Sequence, residues 1–241
     1  SDSWAYGLPE LSSAHREAIK NSRRVANPGC HATALILPVY PLVKKNIIPA
    51  DCPLSAFSIT GYSGGGKNLI KKYESRYDGC TNLDPMSTEV RSGLDSPNLY
   101  SLSLNHKHLP EIQKVCGLSV PPLFVPIVAN YYQGITAGVQ LHRNMMNTKL
   151  NAIEVRDLLA SYYENEKFIK VIPYESDSWL DEGYLNATNC NNSNNAEIFV
   201  FGSDDHILLV TRLDNLGKGA SGAAVQNMNL MLNLDEATCL S

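Results

Sequence analysis

Three short stretches and one arginine carry residue types that can do chemistry. The first is Arg23-Arg24-Val25-Ala26-Asn27-Pro28-Gly29-Cys30-His31-Ala32-Thr33, a cysteine just past an Asn-Pro-Gly turn and just ahead of an apolar run. Asn27 suits a helix cap and Pro28 a first helical position, so Cys30 is expected in a first turn, where unpaired backbone N–H groups favour negative charge. A free thiol titrates at about 8.5, and a helix N-terminus is one of the few environments that draws it down toward a reactive thiolate. A free cysteine is equally a good packing residue, and the turn alone leaves the two readings level.

The second stretch is Asn105-His106-Lys107-His108-Leu109-Pro110-Glu111. In extended chain His106 and His108 project to one side, and Glu111 comes round in the following helical turn, so two imidazoles and a carboxylate are expected to converge. Three readings stand beside one another: a metal site short of a third and fourth ligand, two surface histidines at a helix start, or acid–base partners for a cysteine nucleophile. The third stretch, Gly61-Tyr62-Ser63-Gly64-Gly65-Gly66-Lys67-Asn68, approaches a phosphate-binding loop between a strand and a helix. It has Asn68 where a hydroxyl would hold magnesium, and no strand ending in a free Asp follows. What remains is a glycine turn whose N–H groups and Lys67 can cradle an anion, with a plain flexible turn as the other reading. Arg143, after a strand, offers a planar fork for a carboxylate or phosphate.

These residues need elements to position them. A surface helix is expected near residues 13–17 and a short strand at 24–26; the apolar stretch 32–48 is expected to be a helix that kinks or restarts at Pro38 and Pro41. Alternation marks a strand at 53–60, and helical spacing resumes at 69–74. Residues 81–98 are polar and turn-rich. Residues 99–104 read as a strand, 110–117 as a short helix stopped by Gly117, and 123–128 and 134–141 as long strands. Asn151 with Glu154 forms a capping pattern ahead of a helix that shows Ile153, Val155, Leu158, Leu159, Tyr162 and Tyr163 on one face. A strand at 168–173, a solvated loop at 185–195, a hairpin of 198–202 with 206–212, and a terminal helix after Gly222 complete the chain. This order favours an α+β fold, a mixed, mostly antiparallel sheet covered by helices.

The chain has 241 residues and a formal net charge of −4 with both signs interspersed, which points away from nucleic acid as a partner. No signal peptide and no membrane-length apolar run is evident, so a soluble protein of the cytoplasm, or of an organelle in a eukaryote, is expected. The six cysteines, at 30, 52, 80, 116, 190 and 239, form no Cys-x-x-Cys pair and read as reduced thiols.

In their order, Asn27-Pro28-Gly29-Cys30, the Gly61–Lys67 loop, His106-x-His108-x-Pro110-Glu111 and Asp214-Asn215-Leu216-x-Lys218-Gly219-Ala220 resemble the N-acetyl-γ-glutamyl-phosphate reductases, in the shorter of that family's two sequence types. The resemblance covers nearly the whole chain. It implies NADPH-dependent reduction of an acyl phosphate to an aldehyde in arginine biosynthesis, in a homo-oligomer, dimer or tetramer, with no metal. It implies Cys30 as nucleophile and His106 as acid–base group. His108, Glu111, Ser63, Gly64, Lys67 and Arg143 would bind substrate, and Asn27, Pro28, Gly29, Asn215, Lys218 and Gly219 would lie on the cofactor. It divides the chain into 1–26 as the end of a nucleotide-binding portion, 27–212 as the catalytic and oligomerisation domain, and 213–241 as a segment returning to the nucleotide-binding portion, its Met228, Met231 and Leu232 exposed or on a partner. No glycine-fingerprint strand-turn-helix stands ahead of residue 1, so the chain is expected to be a piece of the enzyme, inactive alone and weak for NADPH. The alternatives are a non-catalytic module of the same fold or a phosphohydrolase built on the glycine loop.

Overall fold

A computed structural model of the chain describes residues 4–75, 93–174 and 177–241. Cys80 and most of the polar stretch 81–98 lie outside them. Two short parallel strands, β1 (Ala5–Tyr6) and β2 (Val25–Ala26), flank helix α1 (Ser13–Lys20), which starts where Ser12 accepts a hydrogen bond from the His15 backbone N–H. The Asn-Pro-Gly turn then leads into α2 (Cys30–Lys44). The rest of the chain lays down β3 (Ser55–Gly61), α3 (Gly66–Glu74), β4 (Asn98–Leu99), α4 (Leu109–Cys116), β5 (Leu123–Ala129) and β6 (Ile135–His142). It closes with α5 (Ala152–Tyr163), β7 (Ile169–Val171), β8 (Ala196–Gly202), β9 (His206–Leu213) and α6 (Gly222–Met231).

Seven strands form one sheet in the order β4-β5-β3-β6-β9-β8-β7. The β3/β5 and β7/β8 pairs are parallel and the other four antiparallel, so the sheet is mixed and mostly antiparallel, as expected. Helix α2 crosses one face of this sheet, packed on β6 and β9 and flanked by α4 and α5. Its residues 31–42 are all buried. A helix apolar on every side belongs in the interior, and that fixes the direction in which its N-terminal Cys30 emerges.

Pro38 and Pro41 do not break α2, which is continuous from Cys30 to Lys44. Pro41 has no N–H for the Leu37 carbonyl, but the buried Tyr163 hydroxyl from α5 donates to that oxygen at 2.7 Å. The bond lost to the ring is thus restored from another element. Tyr163→Phe should cost about 1–3 kcal/mol by leaving a buried carbonyl unpaired, read as a lower denaturant midpoint at unchanged slope.

Other expectations change in detail. Residues 99–104 do not form a strand: after Leu99 only the Tyr100 N–H still bonds β5, at the Pro126 carbonyl, because Ser101 and Leu104 take left-handed conformations (φ 53° and 57°) that end the extended run. Helix α5 has its capping box, with Asn151 and Glu154 each bonded to the other's backbone, but Ile153 points outward and Ala152, Val155, Leu159 and Tyr163 form its buried line. The 185–195 loop is not wholly solvated. Cys190 and Asn194 are buried in it, and the Asn186 carbonyl accepts a bond from the buried Arg212 guanidinium.

The two ends of the chain meet. Helix α6 packs on α1, Asn227 donates to the Gly7 carbonyl, and Arg16 reaches Glu236. At their centre the Lys218 ammonium, from the π-helical turn Gly217–Ser221, bonds Glu10 at 2.5 Å and Gln226 at 2.6 Å with both charged side chains almost wholly out of water. Met228 and Leu232 lie exposed on the outer side of this assembly, while Met231 packs on the small Ala5, Ile19 and Leu230 cluster.

Candidate active site

Cys30 is the first residue of α2, half-buried, with Gly29 as the cap residue. Asn27 caps nothing: its amide donates to the Ala220 carbonyl and its oxygen accepts from Asn227, so it ties the turn to the C-terminal segment. The position of Cys30 is fixed from three sides. Glu111 accepts from the Gly29 N–H at 3.1 Å and from the Tyr6 hydroxyl at 2.8 Å. The His108 ring lies over Gly29, where a Cβ would come within 2.3 Å of Nε2, and a Cβ on Gly219 would meet Cys30 Cβ at 2.8 Å. Glycine is required at both places by close packing.

Above Cys30 opens a cavity of about 450 Å³. Its walls are His31, His106, Lys107 and His108 on one side, Tyr100 and Val128 on another, and Thr60, Gly61, Gly64, Gly65 and Leu69 on the third. The ring centroid of His31 stands 5.2 Å from that of His106 and 5.6 Å from that of His108. Burial, then the neighbouring imidazoles and Lys107, hold His31 down to about 3 and His108, with His106 and Lys107 as its neighbours, to about 4, and burial with Lys107 lowers His106 as well. All three are therefore neutral at pH 7. His106 Nδ1 accepts from the His108 backbone N–H at 3.3 Å, which places its proton on Nε2. His108 Nδ1 is buried with no hydrogen-bond partner among the described residues.

The thiol differs from the reading of the turn alone. Burial pushes Cys30 up from its ordinary value, outweighing the backbone N–H groups of His31 and Cys30 and the Lys107 charge that favour the thiolate. Cys30 is thus a protonated thiol at rest that needs a base. Its alkylation by iodoacetamide should keep rising with pH through and beyond the ordinary thiol range of about 8.5, with no plateau near neutrality.

The remaining sequence candidates fall into two groups. Gly64 is in the cavity wall, and Ser63 stands just behind it, its oxygen accepting from Asn215, whose own oxygen takes the Gly134 N–H. Asn215 therefore staples the glycine loop to the start of β6. Lys67, Arg143 and Lys218 are elsewhere. Lys67 lines a separate open groove with Ile70, Lys71 and Glu74. Arg143 follows β6 at the end of the sheet remote from Thr60, since Thr60 pairs with Ile135 and Ser55 with Gln140; it bonds the Lys149 carbonyl there. A strand of that length separates it from the cavity by about 20 Å. Pro28 leads into the turn two residues ahead of Cys30.

Glu111, spent on Tyr6 and Gly29, does not join the imidazoles, and no group of three or more His, Cys, Asp or Glu among the described residues is placed to hold a metal ion. Among the described residues the cation lining the cavity is Lys107, which sequence reasoning did not single out although it stands between the two chosen histidines. His31 and Tyr100 were also missed. His31 follows the nucleophile directly, and that adjacency was the available signal.

Residues 30–215 match the semialdehyde dehydrogenase dimerisation domain. Two solved structures share the fold: aspartate semialdehyde dehydrogenase II from Vibrio cholerae, 16% identical with a TM-score of 0.65 over 95% of this chain and 68% of that one, and the aspartate semialdehyde dehydrogenase from Francisella tularensis, 15% identical with a TM-score of 0.68 over 95% and 71%. Fold and domain match together define a member of the semialdehyde dehydrogenase class. Among curated relatives, N-acetyl-gamma-glutamyl-phosphate reductase 2 of Nostoc sp. is 41% identical over 97% of this chain and 71% of its own length, and the N-acetyl-gamma-glutamyl-phosphate reductase of Brucella ovis is 40% identical over 95% and 70%. The chain belongs to the N-acetyl-γ-glutamyl-phosphate reductase family.

Proposed function

We propose that this chain carries the catalytic centre for converting N-acetyl-γ-glutamyl phosphate to N-acetylglutamate semialdehyde and phosphate, a reductive step of arginine biosynthesis with NADPH as hydride donor. The observation that carries the reading is Cys30 at the head of α2, opening into a cavity walled by three imidazoles that are neutral at pH 7. The thiol proton passes to His108, the one of the three imidazoles with a buried ring nitrogen unpartnered among the described residues; Cys30 Sγ bonds the acyl carbon, and the bond to the phosphate oxygen breaks, leaving a thioester. Lys107, in the cavity wall, supplies a positive charge for the departing phosphate in this reading. When the thioester is reduced, charge develops on the former carbonyl oxygen, and His106, with its proton on Nε2, donates to it. His108, once it holds the thiol proton on Nδ1, is a donor available to the substrate's polar groups.

Three of the residues that the resemblance assigns to the dinucleotide have their polar side-chain atoms taken up within this chain. Lys218 is neutralised in the interior by Glu10, Asn215 is spent on Ser63 and Gly134, and Asn27 on Ala220 and Asn227. Their work is to hold the cysteine turn and the glycine loop, and the chain's own residues account for acylation and proton handling alone. The contacts of α1, Glu10 and the Tyr6 strand with α6 and Lys218 support grouping 1–26 with 213–241 as one unit beside a catalytic unit of 27–212. The dimerisation-domain match supports a homo-oligomer, dimer or tetramer. Among the described residues no helix is long and apolar enough to cross a membrane, and the reading places the enzyme in the cytoplasm or an organelle.

The substrate assignment is tested by rapid mixing without reductant. N-acetyl-γ-glutamyl phosphate should release a burst of a single phosphate per Cys30, and β-aspartyl phosphate should do so at least about tenfold more slowly, the discrimination expected when a hydrogen-bonding group of the cavity is left without its partner. Equal bursts from both would set the substrate assignment aside.

A further inference from the structure

Ser58 lies on β3 with its side chain fully buried, and its hydroxyl makes one hydrogen bond among the described residues, to His31 Nδ1 at 3.0 Å. A buried hydroxyl proton needs an acceptor, and the ring nitrogen is the one in reach. Ser58 therefore donates, and Nδ1 carries no proton. Because His31 is neutral, its proton is on Nε2. That N–H faces the Tyr100 hydroxyl at 2.8 Å, so it donates and the phenol oxygen accepts. The phenol proton must then turn away from His31. Tyr100 lines the cavity over Cys30, with its ring centroid 5.8 Å from that of His106. Burial, with Cys30 nearby, raises the phenol above its ordinary value, so it keeps that proton.

We propose that Tyr100 is a further catalytic residue, a hydrogen-bond donor to the acyl oxygen of the group on Cys30, and that Ser58 and His31 are positioning residues that turn its hydroxyl into the cavity. This rests on the acyl-enzyme reading above. Tyr100 and His106 then present two donors where charge develops during attack and during reduction. A one-way relay from a buried serine also explains a polar pair set beneath the Phe124 ring, whose centroid stands 5.5 Å from that of His31.

The test uses the 241-residue chain and the phosphate burst from N-acetyl-γ-glutamyl phosphate. Tyr100→Phe should slow the burst about 10²-fold at unchanged amplitude, the usual cost of one oxyanion donor. Ser58→Ala lets His31 place its proton on Nδ1 and accept from Tyr100, so it should slow the burst at least about tenfold. The double variant should be no slower than Tyr100→Phe alone, a coupling that a general loss of packing would not produce. Independently of any variant, ¹⁵N spectra of histidine-labelled wild-type protein should show the His31 proton on Nε2. A proton on Nδ1 overturns the proposal. So does a wild-type burst rate in Tyr100→Phe when Cys30→Ser has lost the burst. A burst that survives Cys30→Ser overturns the acyl-enzyme reading and this proposal with it.

Discussion

Cys30→Ser should abolish the phosphate burst, slowing phosphate release from N-acetyl-γ-glutamyl phosphate by at least about 10⁴-fold, as removal of a nucleophile does elsewhere. The size follows from chemistry rather than shape. Serine keeps the backbone N–H groups of the α2 terminus, the contact with Gly219 and the hydrogen bonds of Glu111 to Gly29 and Tyr6, so the fold and its melting temperature should hold. What is lost is a sulfur that ionises far more readily than a hydroxyl and leaves readily from the reduced adduct. Even with burial raising it, the thiol gives up its proton far more readily than an alcohol several units less acidic still.

The second large effect lies away from the cavity. Lys218→Met should destabilise the chain by about 3–5 kcal/mol, because it strands the Glu10 carboxylate in the interior with one oxygen, Oε2, already unpartnered. The double replacement Glu10→Leu with Lys218→Met should recover most of that loss, since two apolar groups leave no charge behind. The pH dependence separates the two states of Glu10. Burial alone would raise its carboxyl, but the Lys218 charge and the bonds from Lys218 and Gln226 hold it below the ordinary range. A carboxyl lowered by folding contributes stability that is complete above its unfolded value, about 4.3, and is lost as the pH falls from there toward the folded value. In Lys218→Met the sign reverses: the unpaired carboxyl is raised, and acidification relieves the variant. Melting curves from neutral pH down to about pH 3 would show the variant gaining first and the wild type losing below about 4.3, so that the two converge. Activity should fall too, since Gly219 in the same turn packs on Cys30.

The sequence showed those features whose causes are local. The Asn151–Glu154 box, the stop at Gly117, the alternation of β3 and the placing of Cys30 in a first turn each depend on residues within a few positions, and each is present. What it hid depends on distant partners. Proline should break a helix, but Tyr163, from α5, supplies the bond that Pro41 cannot. The resemblance puts Lys218 on the cofactor, but Lys218 meets Glu10 from the other end of the chain. Lys67 and Arg143 carry the right charge on elements whose register points them away from the cavity, while Lys107 reaches it. The thiol is the sharpest case: the helix terminus that lowers it is local, the burial that raises it belongs to the whole fold, and burial wins.

Every step of the proposed reaction passes through a covalent acyl group at Cys30. The chain is mixed with N-acetyl-γ-glutamyl phosphate in the absence of reductant, quenched in acid, digested and read by mass spectrometry. The predicted result is an N-acetylglutamyl increment on the peptide containing Cys30, removed by hydroxylamine as a thioester is, and absent from Cys30→Ser. An increment confined to another residue, or phosphate released at the burst rate with Cys30 unmodified, would contradict it.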